Sequence, residues 1–150
     1  MAYRVRSAPG LFMATVARLE DGEDVVVGYV CGTLTTSPVL TEECMSAHEP
    51  EGTVLCVHSV CTDEGWRRRG VALRSLYAYY DYVRETTPAV REVRLICKAP
   101  LVQLYGKAGF RVEGPSPVVH GEDPWIEMRM PLRTREEEER LVRKRRSWYF

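Results

Sequence analysis

The stretch 53-TVLCVHSVCTDEGWRRRGVALRSLYAYYDYV-83 decides how this chain reads. Val54 to Thr62 is an apolar, β-branched run of strand character, Asp63 to Arg69 a charged turn, and Gly70 opens an amphipathic helix. Leu73, Leu76, Tyr77, Tyr80 and Val83 recur at helical spacing and predict the core-facing stripe. A strand that ends in an Arg/Gly turn and starts a helix presents free backbone N–H groups at a positive dipole end, which suits a phosphate. A glycine lets the main chain approach such a ligand with no Cβ in the way. The turn is not a Walker loop, because no Gly-Lys-Ser/Thr follows, and its single glycine does not make a Rossmann fingerprint.

Upstream, Leu11 to Leu19 and Asp24 to Leu34 are two strand-like runs joined by Glu20-Asp21-Gly22-Glu23, a hairpin signal. Thr41-x-x-Cys44 begins a short helix without a full capping box. Downstream, Thr86-Thr87-Pro88 stops the central helix. Arg91 to Cys97 alternates as a strand with Val93, Leu95 and Cys97 on one face. Leu101, Leu104, Tyr105 and Ala108 mark a second helix, with Gly109 at its C′ position. Phe110 to Val112 is a short strand. Trp125 to Met130 alternates as the last one, with Glu127 on the face opposite the methionines. From Thr134 the run EEEERLVRKRR predicts a charged, solvated helix with Glu136–Arg140 and Glu139–Arg143 pairs. The order ββ(α)β-α-β-α-ββ makes this a mixed-sheet α/β fold with helices on the sheet.

The 150 residues are expected to form a single domain, 1–150, with 133–150 as the charged C-terminal helix and tail. Twenty-one basic residues balance twenty-one acidic ones, so no global field draws the chain to nucleic acid. No run approaches the length needed to span a membrane. Five cysteines without close pairing favour reduced thiols and a cytoplasmic protein, with Cys61 and Cys97 read as core residues. No metal site is expected.

Arg67-x-x-Gly70-x-Ala72 after a Val-rich strand is similar to the acyl-CoA pyrophosphate loop of the GNAT N-acetyltransferases. Tyr105-Gly106-Lys107-Ala108-Gly109-Phe110 resembles that superfamily's following helix and strand. GYVCGTLTTSPVLTEECMSAHEPEG, LCVHSV and VREVRLICKAPLVQLYGKAGF together resemble the arylalkylamine (serotonin) N-acetyltransferases, over roughly Leu11 to Leu132. The resemblance implies the GNAT acyl-CoA N-acyltransferase fold, with the family's first strand and first helices lacking here. It implies acetyl-CoA as co-substrate and a small primary amine, an arylalkylamine or a polyamine, as acceptor.

The resemblance also carries roles residue by residue. Arg67, Arg68, Arg69, Gly70, Val71, Ala72 and Leu73 would cradle the pyrophosphate, and Val60, Cys61 and Thr62 would run beside the pantetheine as an added strand does. His58 would pass the amine's proton to water, and Tyr105 would meet CoA and protonate its departing thiolate. Val60 and Ile96 would contact the acceptor. Cys56 stands where animal enzymes carry a second histidine, and Lys98 where they carry an acidic residue.

The chemistry makes these residue types reasonable independently. A primary amine with a pKa of about 10 arrives protonated, and a neutral imidazole of pKa about 6.5 can accept that proton. The oxyanion needs an N–H donor, which a bulged or splayed strand at Val60–Cys61 would supply. Direct transfer in a ternary complex needs no acyl-enzyme. Two rival readings remain: an acyl-CoA-binding or regulatory remnant without turnover, and a protein or peptide N-acetyltransferase. A homodimer completing the acceptor site stays open.

Overall fold

The computed structural model describes residues 2–147, with side chains to residue 144; Trp148 to Phe150 of the expected C-terminal tail lie outside the described residues. A helix absent from the sequence reading, α1 (Ala2–Ser7), precedes the hairpin of β1 (Phe12–Arg18) and β2 (Asp24–Thr35). Then come α2 (Glu42–Ser46), β3 (Val54–Thr62), α3 (Val71–Thr86), β4 (Glu92–Cys97) and α4 (Val102–Lys107). β5 (Arg111–Pro115), β6 (Ile126–Pro131) and α5 (Arg135–Ser147) complete the order. The six strands form one sheet, β1-β2-β3-β4-β6-β5, in which only β3 and β4 pair in parallel. No described helix is long and apolar enough to cross a membrane.

The core lies between α3 and one face of the sheet, where Val30, Leu34, Leu55, Val57, Val93 and Leu95 meet Leu76, Tyr79 and Val83. The stripe of α3 is rotated from the expected one. Tyr79 is fully buried, whereas Tyr77 is 48% exposed. The difference is polar: Tyr79 donates its hydroxyl to the Leu11 carbonyl at 2.7 Å, which lets a phenol enter the core, while Tyr77 reaches outward to the Lys107 carbonyl at 3.0 Å.

Two helix ends show local chemistry overriding rule of thumb. At α2 the Thr41 hydroxyl accepts from Cys44 N at 3.3 Å and the Cys44 sulfur accepts from Thr41 N at 3.1 Å, so cysteine completes a capping box where Glu is usual. At α4, Phe110 N donates to the Tyr105 carbonyl and Gly109 N to the Gly106 carbonyl, a Schellman closure with Gly109 at φ 103°. That closure turns the chain from α4 into β5 and holds the Tyr105 ring against Phe110, centroids 5.9 Å apart. Gly109→Ala puts a Cβ into a left-handed backbone and 2.7 Å from the Met130 sulfur. The expected cost is about 1–2 kcal/mol, read as a lowered denaturant midpoint at unchanged slope.

The charged helix exists, and of its expected pairs Glu139–Arg143 forms at 3.4 Å. Among the described residues Glu136 and Arg140 form no ion pair. Exposed pairs of this kind contribute little to stability.

Candidate active site

β3 and β4 are hydrogen-bonded only from Val54 to Cys56 against Glu92 to Arg94. Beyond that the strands part, and β3 from Val57 to Thr62 has β2 on one side and no strand on the other. A wedge therefore opens in the sheet. Its backbone N–H and C=O groups along Val60, Cys61 and Thr62 are available to an extended ligand. Val60 packs against the core cluster, and Cys61 is exposed, which corrects its reading as a core residue; Cys97 is buried as read. All five cysteines are free thiols.

The wedge leads to the N-terminus of α3. Gly70 is the N-cap at φ 74°, a conformation glycine adopts without strain, and no side chain caps this helix. The amides of Val71, Ala72 and Leu73 thus begin the helix with no intrahelical partner. Arg68 precedes them in a left-handed conformation, φ 60°. The neighbouring arginines brace the turn: Arg67 Nε donates to the Thr62 carbonyl at 3.3 Å, and the Arg69 guanidinium lies 5.2 Å from the Trp66 ring centroid. Arg68 makes no side-chain hydrogen bond or ion pair among the described residues. The turn is a positively charged nest tied to the end of β3.

Tyr105 projects from α4 toward the wedge and is 9% exposed. Burial foremost, then the nearby Cys97 and Cys61 thiols, pushes its hydroxyl up to about 12. The phenol is therefore protonated at any physiological pH and keeps a proton to donate.

His58 occupies the opposite face of the sheet. Cys31 pairs with Ser59 and Gly32 with Val57, which leaves His58 as the extra residue of a bulge. The bulge thus sits at His58 and not at Val60–Cys61, which stay in register with Val30 and Tyr29. The His58 Nε2 lies 2.7 Å from the Thr33 hydroxyl, and Nδ1 lies 3.8 Å from the Cys56 sulfur. Thr33, fully buried in β2, is a partner the linear sequence did not reveal, because only the β2–β3 register sets it beside His58. Burial first, and then the charge of Arg4, lowers the His58 pKa to about 3. This imidazole is neutral at physiological pH and a weaker base than a free histidine. Burial pushes the Cys56 thiol up, so it remains protonated.

The sign of the His58 effect on stability follows directly. In the unfolded chain histidine titrates near 6.5, so below that pH the unfolded state binds a proton that the folded state refuses. Stability is expected to fall as pH drops from about 6.5 toward 4, by at most ~1.4 kcal/mol per unit from this residue. Burial also lowers His48, whose Nδ1 accepts from Leu34 N at 3.1 Å, and this adds in the same direction. Chemical denaturation across that range should show a shallower slope for His58→Gln than for the parent protein.

Ile96 lies half-buried on the same sheet face as Arg94 and Glu127, away from the core. Lys98, just after β4, forms an ion pair with Asp123 at 3.1 Å and stands 4.8 Å from the Trp125 ring centroid. A segment from Thr36 through α2 to Gly52 covers this face and is fastened at both ends. Leu40 N donates to Glu127 at 3.1 Å, and the Glu49 carboxylate accepts from Thr35 Oγ1 at 2.9 Å and Thr36 N at 2.6 Å. Thiol and phosphate chemistry would thus meet the wedge from the α3 side, and a second reactant from the His58 side.

Comparison with known proteins agrees with this arrangement. Residues 2–110 match the model of the acetyltransferase (GNAT) family. A serotonin N-acetyltransferase of Mesocricetus auratus is 31% identical over 111 residues, 74% of this chain and 53% of its own length. The chain thus spans about half the length of the curated relatives it matches. Among solved structures, the loading GNATL domain of CurA from Lyngbya majuscula superposes with a TM-score of 0.71 at 14% identity, covering 86% of this chain and 80% of that one. The GphF GNAT-like decarboxylase in complex with isobutyryl-CoA gives 0.68 at 17% identity, covering 87% and 82%. At such identities these two likenesses speak for the fold alone. Wedge, helix nest and family match agree: the chain belongs to the acetyltransferase (GNAT) family.

Proposed function

We propose that this protein is an acetyl-CoA-dependent N-acetyltransferase that moves the acetyl group directly to a primary amine in a ternary complex. The observation that carries this reading is the wedge between β3 and β4, which runs from the uncapped, arginine-lined start of α3 to the Tyr105 phenol. A neighbour of the same fold was solved in complex with isobutyryl-CoA, which supports an acyl-CoA as the ligand. In this reading Arg67, Arg68, Arg69, Gly70, Val71, Ala72 and Leu73 hold the pyrophosphate through backbone amides and positive charge. Val60, Cys61 and Thr62 pair with the pantetheine amides, and Val60 and Ile96 border the acceptor.

The reaction RNH₃⁺ + acetyl-S-CoA → RNH-acetyl + HS-CoA + H⁺ releases one proton and moves another to sulfur. The ammonium must first lose a proton, which His58 relays through Thr33 or water. The free amine then attacks the thioester carbonyl, and an unpaired β3 amide donates to the oxyanion. As the C–S bond breaks, the Tyr105 hydroxyl donates to the sulfur, and the proton shed by the acylated nitrogen leaves CoA as the thiol. The serotonin N-acetyltransferase relatives make an arylalkylamine the first acceptor to try, with a polyamine second.

The test is CoA release from acetyl-CoA with tryptamine, phenethylamine, spermidine and a peptide amine as acceptors. Turnover with one class establishes the transferase and names its substrate. A rise in melting temperature with acetyl-CoA but no turnover would replace this reading with an acyl-CoA-binding protein.

A further inference from the structure

α1 carries Arg4 to the His58 side of the sheet, and α1 is held down by Ala8 N donating to the Arg4 carbonyl at 2.9 Å and by the buried Ala8 and Leu11. The Arg4 side chain is half-buried. Among the described residues it makes no hydrogen bond and no ion pair. It lines a cleft of about 380 Å³ whose other walls are Glu42, Glu43, Met45 and Ser46 of α2 and Val118 and His120 of the β5–β6 connection. The Glu42 carboxylate is 4.0 Å from His120 and does not pair with Arg4. An unpaired guanidinium in such a place is unusual, because its five donors lose water without gaining a partner.

We propose that Arg4 binds a carboxylate of the acceptor, so that the amine acetylated here is an amino-acid-sized molecule carrying both a primary amine and a carboxylate, an assignment that rests on the acyl-transfer reading. Three features converge on it. The cleft is lined by the one arginine whose charge acts on His58, and its volume suits a small molecule. Its walls are dipolar, with Arg4 on α1 facing Glu42 and Glu43 on α2, which matches a zwitterion and not a simple cation. Arg4 also acts on the proton relay: its charge opposes protonation of His58 and eases ionisation of Cys56. A bare ammonium arriving at His58 would meet that same repulsion. A substrate carboxylate on Arg4 cancels it, through the forked geometry in which guanidinium and carboxylate pair best, and so makes His58 a better proton acceptor only when the right substrate is bound.

The experiment compares two acceptors that differ by the carboxylate alone, phenylalanine and phenethylamine, in CoA release and in calorimetric binding to the CoA-saturated full chain. Phenylalanine is expected to have a kcat/KM at least about tenfold above phenethylamine. Arg4→Met should bring the two within about twofold, mainly through the KM for phenylalanine, and Arg4→Lys should restore part of the difference. A preference for phenethylamine, or a preference for phenylalanine unchanged by Arg4→Met, overturns the assignment of Arg4 while leaving the transferase intact. If neither amine turns over, the other acceptors of the panel decide the transferase reading and calorimetry still decides Arg4. Phenylalanine binding that is lost in Arg4→Met supports the carboxylate site, and no phenylalanine binding to the parent protein overturns it.

Discussion

Replacing Tyr105 by Phe is expected to slow CoA release at least about tenfold, in the range that general-acid groups contribute, with little change in melting temperature. The two halves of that expectation have separate causes. The ring is embedded against Phe110, and Phe keeps this packing. The hydroxyl, by contrast, has no hydrogen-bond partner among the described residues and is not sealed from solvent, so its removal leaves no orphaned group behind. What disappears is a donor held protonated beside the wedge. A fall in kcat with KM for acetyl-CoA unchanged would mark a group acting in the transition state. A variant as active as the parent would remove Tyr105 from the chemistry and leave it a core residue.

Glu127→Ala is expected to destabilise the fold by about 3–5 kcal/mol, measured as the loss of denaturant midpoint. Glu127 is 4% exposed and Arg94 7% exposed, and the two meet at 2.7 Å in the middle of the sheet. Arg94 also pairs closely with Glu92, and Arg129 extends the chain of charges to Glu92 at 3.7 Å and Glu113 at 3.1 Å. Removing Glu127 strips a buried guanidinium of one carboxylate and leaves the Leu40 amide without its acceptor. Because that amide anchors the covering segment before α2, acceptor binding should weaken with stability. Glu127→Gln keeps an acceptor for both donors and should cost less. A loss below about 1 kcal/mol for the alanine variant would mean that water replaces the carboxylate.

The fold class and much of the site were legible in the linear chain because they rest on local chemistry. Apolar, β-branched runs mark β2 and β3, alternation marks β4 and β6, helical spacing marks α3, and proline at 88 and glycine at 70 and 109 punctuate them. The Arg67–Ala72 turn is a contiguous run whose backbone does the work, so its place at the head of a helix needs no distant partner.

The tertiary structure decided what depends on register and on which face a neighbour covers. Alternation places Glu127 on the strand face opposite the methionines, and only the tertiary structure shows that the segment around Leu40 closes over it and Arg94 answers its charge. Tyr79 displaces Tyr77 from the core stripe because the Leu11 carbonyl accepts its hydroxyl. The bulge falls at His58 because β2 and β3 slip by one residue there, which turns the imidazole toward Thr33. Arg4 gains meaning only through α1, a six-residue helix too short to announce itself by periodicity, which sets a positive charge where that imidazole feels it.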